Sequence, residues 1–179
     1  MGTAPYDKHM PGERAVFRRA QFFQGMSQMP RLFLSDVKKR PLVVSVEDSV
    51  GQGGVNRRPD VLLVQFMLKV VSATVAGKID SWWKKSGSKL LAIDGQYGES
   101  TREYIALFQQ QYTKFKLTQD GRVDPFVKGG WFGPRSHALM TMAAINMAYV
   151  EAEGESAHLD MTAHPWFPSE IRASLQIAV

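Results

Sequence analysis

Apolar residues recur at helical spacing in three stretches of the chain. The longest stripe, Val61, Val64, Leu68, Val71 and Val75, is widened by Leu63, Met67 and Val70, so its helix is predicted to be largely buried. Pro59 suits position N1, where a missing N–H costs nothing, and Asp60 suits the positive helix end; Gly77 ends the run. In the second stretch Tyr104, Phe108 and Tyr112 are spaced by four, with Ile105 beside them. Ser100 and Glu103 have the spacing of a capping box at its start. The third stretch follows Pro134 and is predicted to run to about Val150, with Ala138, Leu139, Met142, Ala143, Asn146 and Tyr149 inward. Two weaker signals precede these. Glu13–Gln24 suits a short helix with Val16, Ala20 and Phe23 on one stripe, and Pro41–Val46 is a β-branched run that suits a short strand.

Turn residues punctuate the stripes. Gly51-Gln52-Gly53-Gly54 forms a loop but no Gly-Lys-Ser/Thr follows, so it is not a phosphate-binding loop. Asp94-Gly95 and Asp120-Gly121 are two strong turn signals, one before and one after the second helix. The predicted order is helix, turn, helix, turn, helix, and nothing alternates strand with helix as a parallel sheet requires. The fold class expected is mainly α: a helical module over residues 46–150, an extended or helical arm over 1–45, and a tail over 151–179.

Composition narrows the chemistry. With no cysteine among 179 residues, disulfide scaffolds, thiolate zinc sites, iron–sulfur clusters and cysteine nucleophiles are excluded. Residues 1–58 carry net +5, residues 59–149 net +4 and residues 150–179 net −4. A basic body with an acidic tail reads as a solvated surface with long-range steering. The charge is too diffuse, and too little interleaved with aromatics, for a nucleic-acid interface. Residues 1–12 lack the apolar core of a secretory signal, and the longest apolar run, Val61–Leu68, is broken by Gln65 and too short to span a bilayer. Synthesis in the cytoplasm is expected, with delivery to the cell envelope or incorporation into a particle left open.

No catalytic constellation emerges. Ser86 and Lys89 match Ser-x-x-Lys, but its companion motifs are missing. His158, Asp160 and His164 are near one another without the ligand spacing of a zinc site, so no metal or cofactor is expected. Glu151, Glu153 and Glu155 read as a solvated run rather than a carboxylate pair flanking a cleft.

Val61-Leu62-Leu63-Val64-Gln65, Asp94-Gly95-Gln96-Tyr97-Gly98-Glu99-Ser100-Thr101, Ile105-Ala106-Leu107-Phe108-Gln109 and Asp120-Gly121-Arg122-Val123-Asp124-Pro125 occur in that order. The ordered set, led by Gly53-Gly54-Val55-Asn56, resembles the peptidoglycan-binding domain-like family, a small three-helix module. The likeness covers residues 50–145. It departs from the family in a longer 78–90 link, an extended third helix, and ends without counterpart. It implies a non-catalytic module that binds peptidoglycan or a related cell-wall glycan in a bacterial setting.

Such a ligand offers hydroxyls, amides, carboxylates and apolar sugar faces, so its site needs aromatic platforms, amide partners and a cation. Near the motifs the candidates are Gln65, Gln96, Tyr97, Arg102 and Gln109, with Trp83, its neighbour Trp82, and Trp131 as platforms. The competing expectation is a structural or adaptor protein of a phage particle or secretion apparatus. It would make protein–protein contacts or self-associate through residues 1–45 and 151–179.

Overall fold

The computed structural model describes residues 30–34, 42–75, 91–126, 139–173 and 175. The predicted helix at Glu13–Gln24, the link with Trp82 and Trp83, and the segment with Trp131 and Pro134 lie outside the described residues. Among the described residues the chain is mostly helical, with two small antiparallel strand pairs.

Strand β1 (Arg31–Leu34) pairs with β2 (Leu42–Ser45) in the register Arg31↔Ser45 to Leu34↔Leu42. Strand β3 (Val50–Gly51) pairs with β4 (Arg122–Val123). The helices are α1 (Arg58–Val75), α2 (Glu99–Gln111), α3 (Thr141–Glu153), α4 (Glu155–Leu159) and α5 (Ser169–Arg172), with a 3-10 turn at Met161–Ala163.

Burial explains the three long helices. Every residue from Asp60 to Leu68 is buried in α1, and every residue from Thr141 to Tyr149 in α3. A helix covered on all sides must lie inside the molecule, and these two pack against each other. Helix α2 buries only one face, through Thr101, Tyr104, Ile105, Phe108 and Gln109, at the 3–4 spacing of an amphipathic surface helix. Asp60, in the first turn of α1, is itself buried. Its carboxylate accepts the Glu47 and Asp48 amides at 2.8 and 3.1 Å, pinning the turn after β2 to the helix. Desolvation raises its pKa, and the two amides work against that rise.

Two expectations need correction. Helix α3 begins at Thr141 rather than after Pro134, because Leu139 bridges to Leu117 and Met140 is extended at φ −64°, ψ 135°. Helix α2 begins at Glu99, with Gly98 as N-cap and no side-chain capping bond. Ser100 thus lies one position inside the helix, and the capping box is not formed. Strand β1 has no counterpart in the sequence reading.

Strand β2 is part of the main body. Val43 and Val44 are buried in the common core, and Ser45 Oγ accepts the Phe126 amide at 2.8 Å. Residues beyond Glu153 fold back: Met161, Phe167, Ile171 and Leu175 join the same core, and α5 packs on α1.

Candidate functional site

Two glutamines, one per helix, lock the two Asp-Gly turns in the same way. Gln65 on α1 accepts the Asp94 and Gly95 amides through Oε1 at 3.0 and 2.8 Å. Its Nε2 donates to Asp94 Oδ1, the Gln96 carbonyl and Thr101 Oγ1 at 2.9, 3.1 and 3.0 Å. Gln109 on α2 accepts the Gly121 amide at 2.8 Å. Its Nε2 donates to Asp120 Oδ1, the Arg122 carbonyl and Thr141 Oγ1 at 2.9, 3.0 and 3.0 Å. In each turn the aspartate also accepts the amide two residues on, Gln96 at 2.9 Å and Arg122 at 3.0 Å. Gly95 and Gly121 sit at φ +71° and +67°, where a Cβ is strained. The latch therefore ties each helix to the next: α1 to the start of α2 through Thr101, and α2 to the start of α3 through Thr141.

The first turn carries further charge. Arg58 donates from Nη1 to the Asp94 carbonyl at 2.6 Å, and from Nε and Nη2 to the Glu170 carboxylate at 2.8 and 3.0 Å. The bond from the Gln96 amide, then that from Gln65, holds the Asp94 carboxyl below its ordinary pKa. The hydrogen bond with Arg58 lowers Glu170 in the same sense.

A third loop leans on the second turn. Asn56 Oδ1 accepts the Gly51 amide at 2.7 Å, its Nδ2 donates to the Gly51 and Gly54 carbonyls at 3.0 Å each, and the Gln52 amide donates to Gly121 O at 3.1 Å. Val55 stands 59% exposed at the tip of that loop.

The expected site residues separate into two groups. Gln65 and Gln109 are buried, and the latches use their carboxamides; both act in the frame and present nothing outward. Tyr97 packs its ring against the core, and its hydroxyl is shielded from solvent with no hydrogen-bond partner, so desolvation raises its pKa. Gln96 is exposed on this loop, and Arg102 is exposed on α2 just after it. Arg102 pairs with Glu99 three residues earlier, at 3.1 Å from Nε and through a second contact from Nη2. That hydrogen bond raises the arginine's pKa and lowers the glutamate's. Trp83 and Trp131 lie outside the described residues.

His158 and His164 serve different surroundings. His158 is buried, and its Nε2 lies 2.9 Å from Asn146 Oδ1, an acceptor-only atom, so Nε2 carries the hydrogen. Burial pushes its pKa down to about 4. Asn146 in turn accepts the Val44 amide at 2.9 Å and donates to the Val44 and Met142 carbonyls at 2.8 Å each, filling the free edge of β2. His164 packs edge-on against Phe66 and Trp166, and its Nδ1 accepts the Trp166 amide at 3.1 Å. Among the described residues no group of three or more His, Cys, Asp or Glu could hold a metal ion.

Sequence reasoning passed over Trp166, a large apolar side chain left 44% exposed. The signal was there, since prolines flank Trp166-Phe167 on both sides and hold an aromatic pair on a turn. No protein-family model, curated protein or solved structure matches this chain.

Proposed function

We propose that the chain is a non-catalytic module that binds peptidoglycan or a related cell-wall glycan on a three-helix scaffold of the peptidoglycan-binding-like kind. The observation that carries the reading is the Asp94–Gly98 loop. Latched to Gln65 beneath, it leaves Gln96 exposed on a base that needs no ordering on binding, and Arg102 is exposed on α2, where its amide donates to the Gly98 carbonyl at 3.0 Å. A carboxamide both donates to and accepts from sugar hydroxyls and peptide-stem amides. A guanidinium takes a stem carboxylate through two parallel bonds, and the exposed Glu99 partner exchanges readily for it.

The test is co-sedimentation of the purified full chain with insoluble peptidoglycan in moderate salt, which removes mere charge attraction. Binding is expected, weakened by Arg102→Ala and Gln96→Ala without change in helical signal. No sedimentation above background refutes the reading.

A second reading, a structural or adaptor role in a larger assembly, draws on Val55. This apolar side chain is exposed on a loop whose backbone Asn56 pins from both sides. That reading predicts an oligomer or partner complex that Val55→Asp dissolves, and a strictly monomeric chain by light scattering contradicts it.

A further inference from the structure

Helix α1 has one face along which the tail lies, and that face ends in a cation at each side. Arg58 and Lys69 are eleven positions apart, which on a helix is about 16 Å along the axis and roughly 20° in azimuth. At the Arg58 end the tail is held by Glu170. Between the two, Phe66 packs against Phe167 at 5.0 Å and His164 at 5.4 Å between ring centroids. At the far end Lys69 Nζ sits 5.4 Å from the centre of the Trp166 ring.

Trp166 is exposed, yet the turn that carries it is fixed. Phe167 is buried, the Phe167 amide donates to the His164 carbonyl at 2.9 Å, and the Trp166 amide donates to His164 Nδ1. An indole held outward on a rigid turn is a flat, apolar surface with a positive edge, the shape and polarity that suit an apolar sugar face. Two cations lie over this aromatic pair. Lys69 lies over the ring and Arg172 lies over the neighbouring Phe167 ring at 6.0 Å, and neither has a carboxylate partner among the described residues. The nearby acid of α5, Glu170, is engaged by Arg58.

We propose that Trp166, with Lys69 and Arg172, forms a second saccharide subsite, for a sugar ring bearing a carboxylate, on the same ligand strand that meets the Asp94–Gly98 loop. The inference rests on the glycan-binding reading and extends it. Arg58 ties the Asp94 carbonyl to Glu170 of the tail, so the loop and the tail that carries Trp166 belong to one frame, with the indole toward the far end of α1. A polymer spanning them gains affinity through linkage that a single ring cannot.

The test uses two probes on the full chain: soluble peptidoglycan fragments several sugars long, and a neutral N-acetylglucosamine tetramer without carboxylates. Calorimetric titration of wild type, Trp166→Ala, Trp166→Leu and Lys69→Met separates the terms. Trp166→Ala is expected to lose tenfold or more in affinity for both probes. Trp166→Leu, which keeps apolar bulk without a flat ring, is expected to lose nearly as much, with the helical signal intact in each. Lys69→Met is expected to weaken the carboxylate-bearing fragments alone. Wild type that binds while both Trp166 variants bind equally well overturns the subsite and leaves the glycan reading standing. Wild type that binds neither probe overturns both.

Discussion

Gln65→Leu removes one latch while nearly preserving volume. In wild type, Oε1 of Gln65 accepts from two amides, the buried Gly95 N–H and the part-buried Asp94 N–H, and Nε2 serves three acceptors. A buried donor without a partner costs about 1–3 kcal/mol, and water can reach Asp94 more easily than Gly95, so the expected loss is about 2–4 kcal/mol. Gln65→Glu sharpens the test. It keeps the acceptor for both amides but sets a carboxylate where Nε2 lies 2.9 Å from Asp94 Oδ1. Two like charges at that distance repel, so this variant should regain stability relative to wild type as pH falls and one carboxyl takes a proton. The assay is urea unfolding followed by circular dichroism, with midpoints compared at unchanged slope. Gln109→Leu breaks the matching latch. Thr101 and Gln109 are eight positions apart on α2, about 12 Å, so the two losses should add within about 0.5 kcal/mol. A Gln65→Leu loss below about 0.5 kcal/mol would show that the turns hold without their glutamines and would refute the reasoning.

Other expectations follow from buried or crowded groups. Burial holds the His158 pKa down at about 4 against an ordinary 6.5, so the unfolded chain binds the extra proton between those values and stability drops as pH falls through that window. The full effect is about 3 kcal/mol, and an imidazole titrating near 6.5 in the folded chain by NMR would contradict it. Gly51→Ala would place a Cβ 2.3 Å from Gly121 O and 2.6 Å from Arg122 Cα at φ +132°, and should cost about 2–5 kcal/mol in thermal or urea unfolding. Gly53→Ala, at φ +69° with nothing within 4 Å, should cost only about 1–2 kcal/mol; equal losses at the two sites would disprove the close approach of β3 and β4. Asn146→Leu orphans the Val44 N–H and C=O together and should cost at least about 2 kcal/mol in urea unfolding, whereas an unchanged midpoint would deny that this side chain closes the edge of β2.

The long helices were legible because α1 and α3 are covered on all sides and α2 on one, and each state leaves its own apolar spacing. The Asp-Gly turns were legible because their chemistry is local. Gln65 and Gln109 were not: a glutamine reads as a surface group or ligand contact until the turn that folds back over it is seen. Their twin roles were hinted at only by the repetition of Asp-Gly. The start of α3 escaped because Leu139 has helical spacing yet bridges to Leu117 across the fold. Strand β1 escaped because four residues, Arg31–Leu34, carry too little pattern, and the pairing that makes them a strand comes from β2. Asn146 was expected inward, but its pairing with a strand 102 residues away is not written in either segment. On the candidate surface, Gln96 and Arg102 could be placed from the loop motif, while Trp166 depends on how the tail returns along α1.

The central claim is most directly tested by NMR titration of the labelled full chain with soluble peptidoglycan fragments. Saturable shifts should gather on the backbone amides of residues 94–102 and on the Trp166 indole N–H, with the buried amides of α3 unmoved. A titration that leaves the loop and the indole unshifted at millimolar fragment would contradict the account.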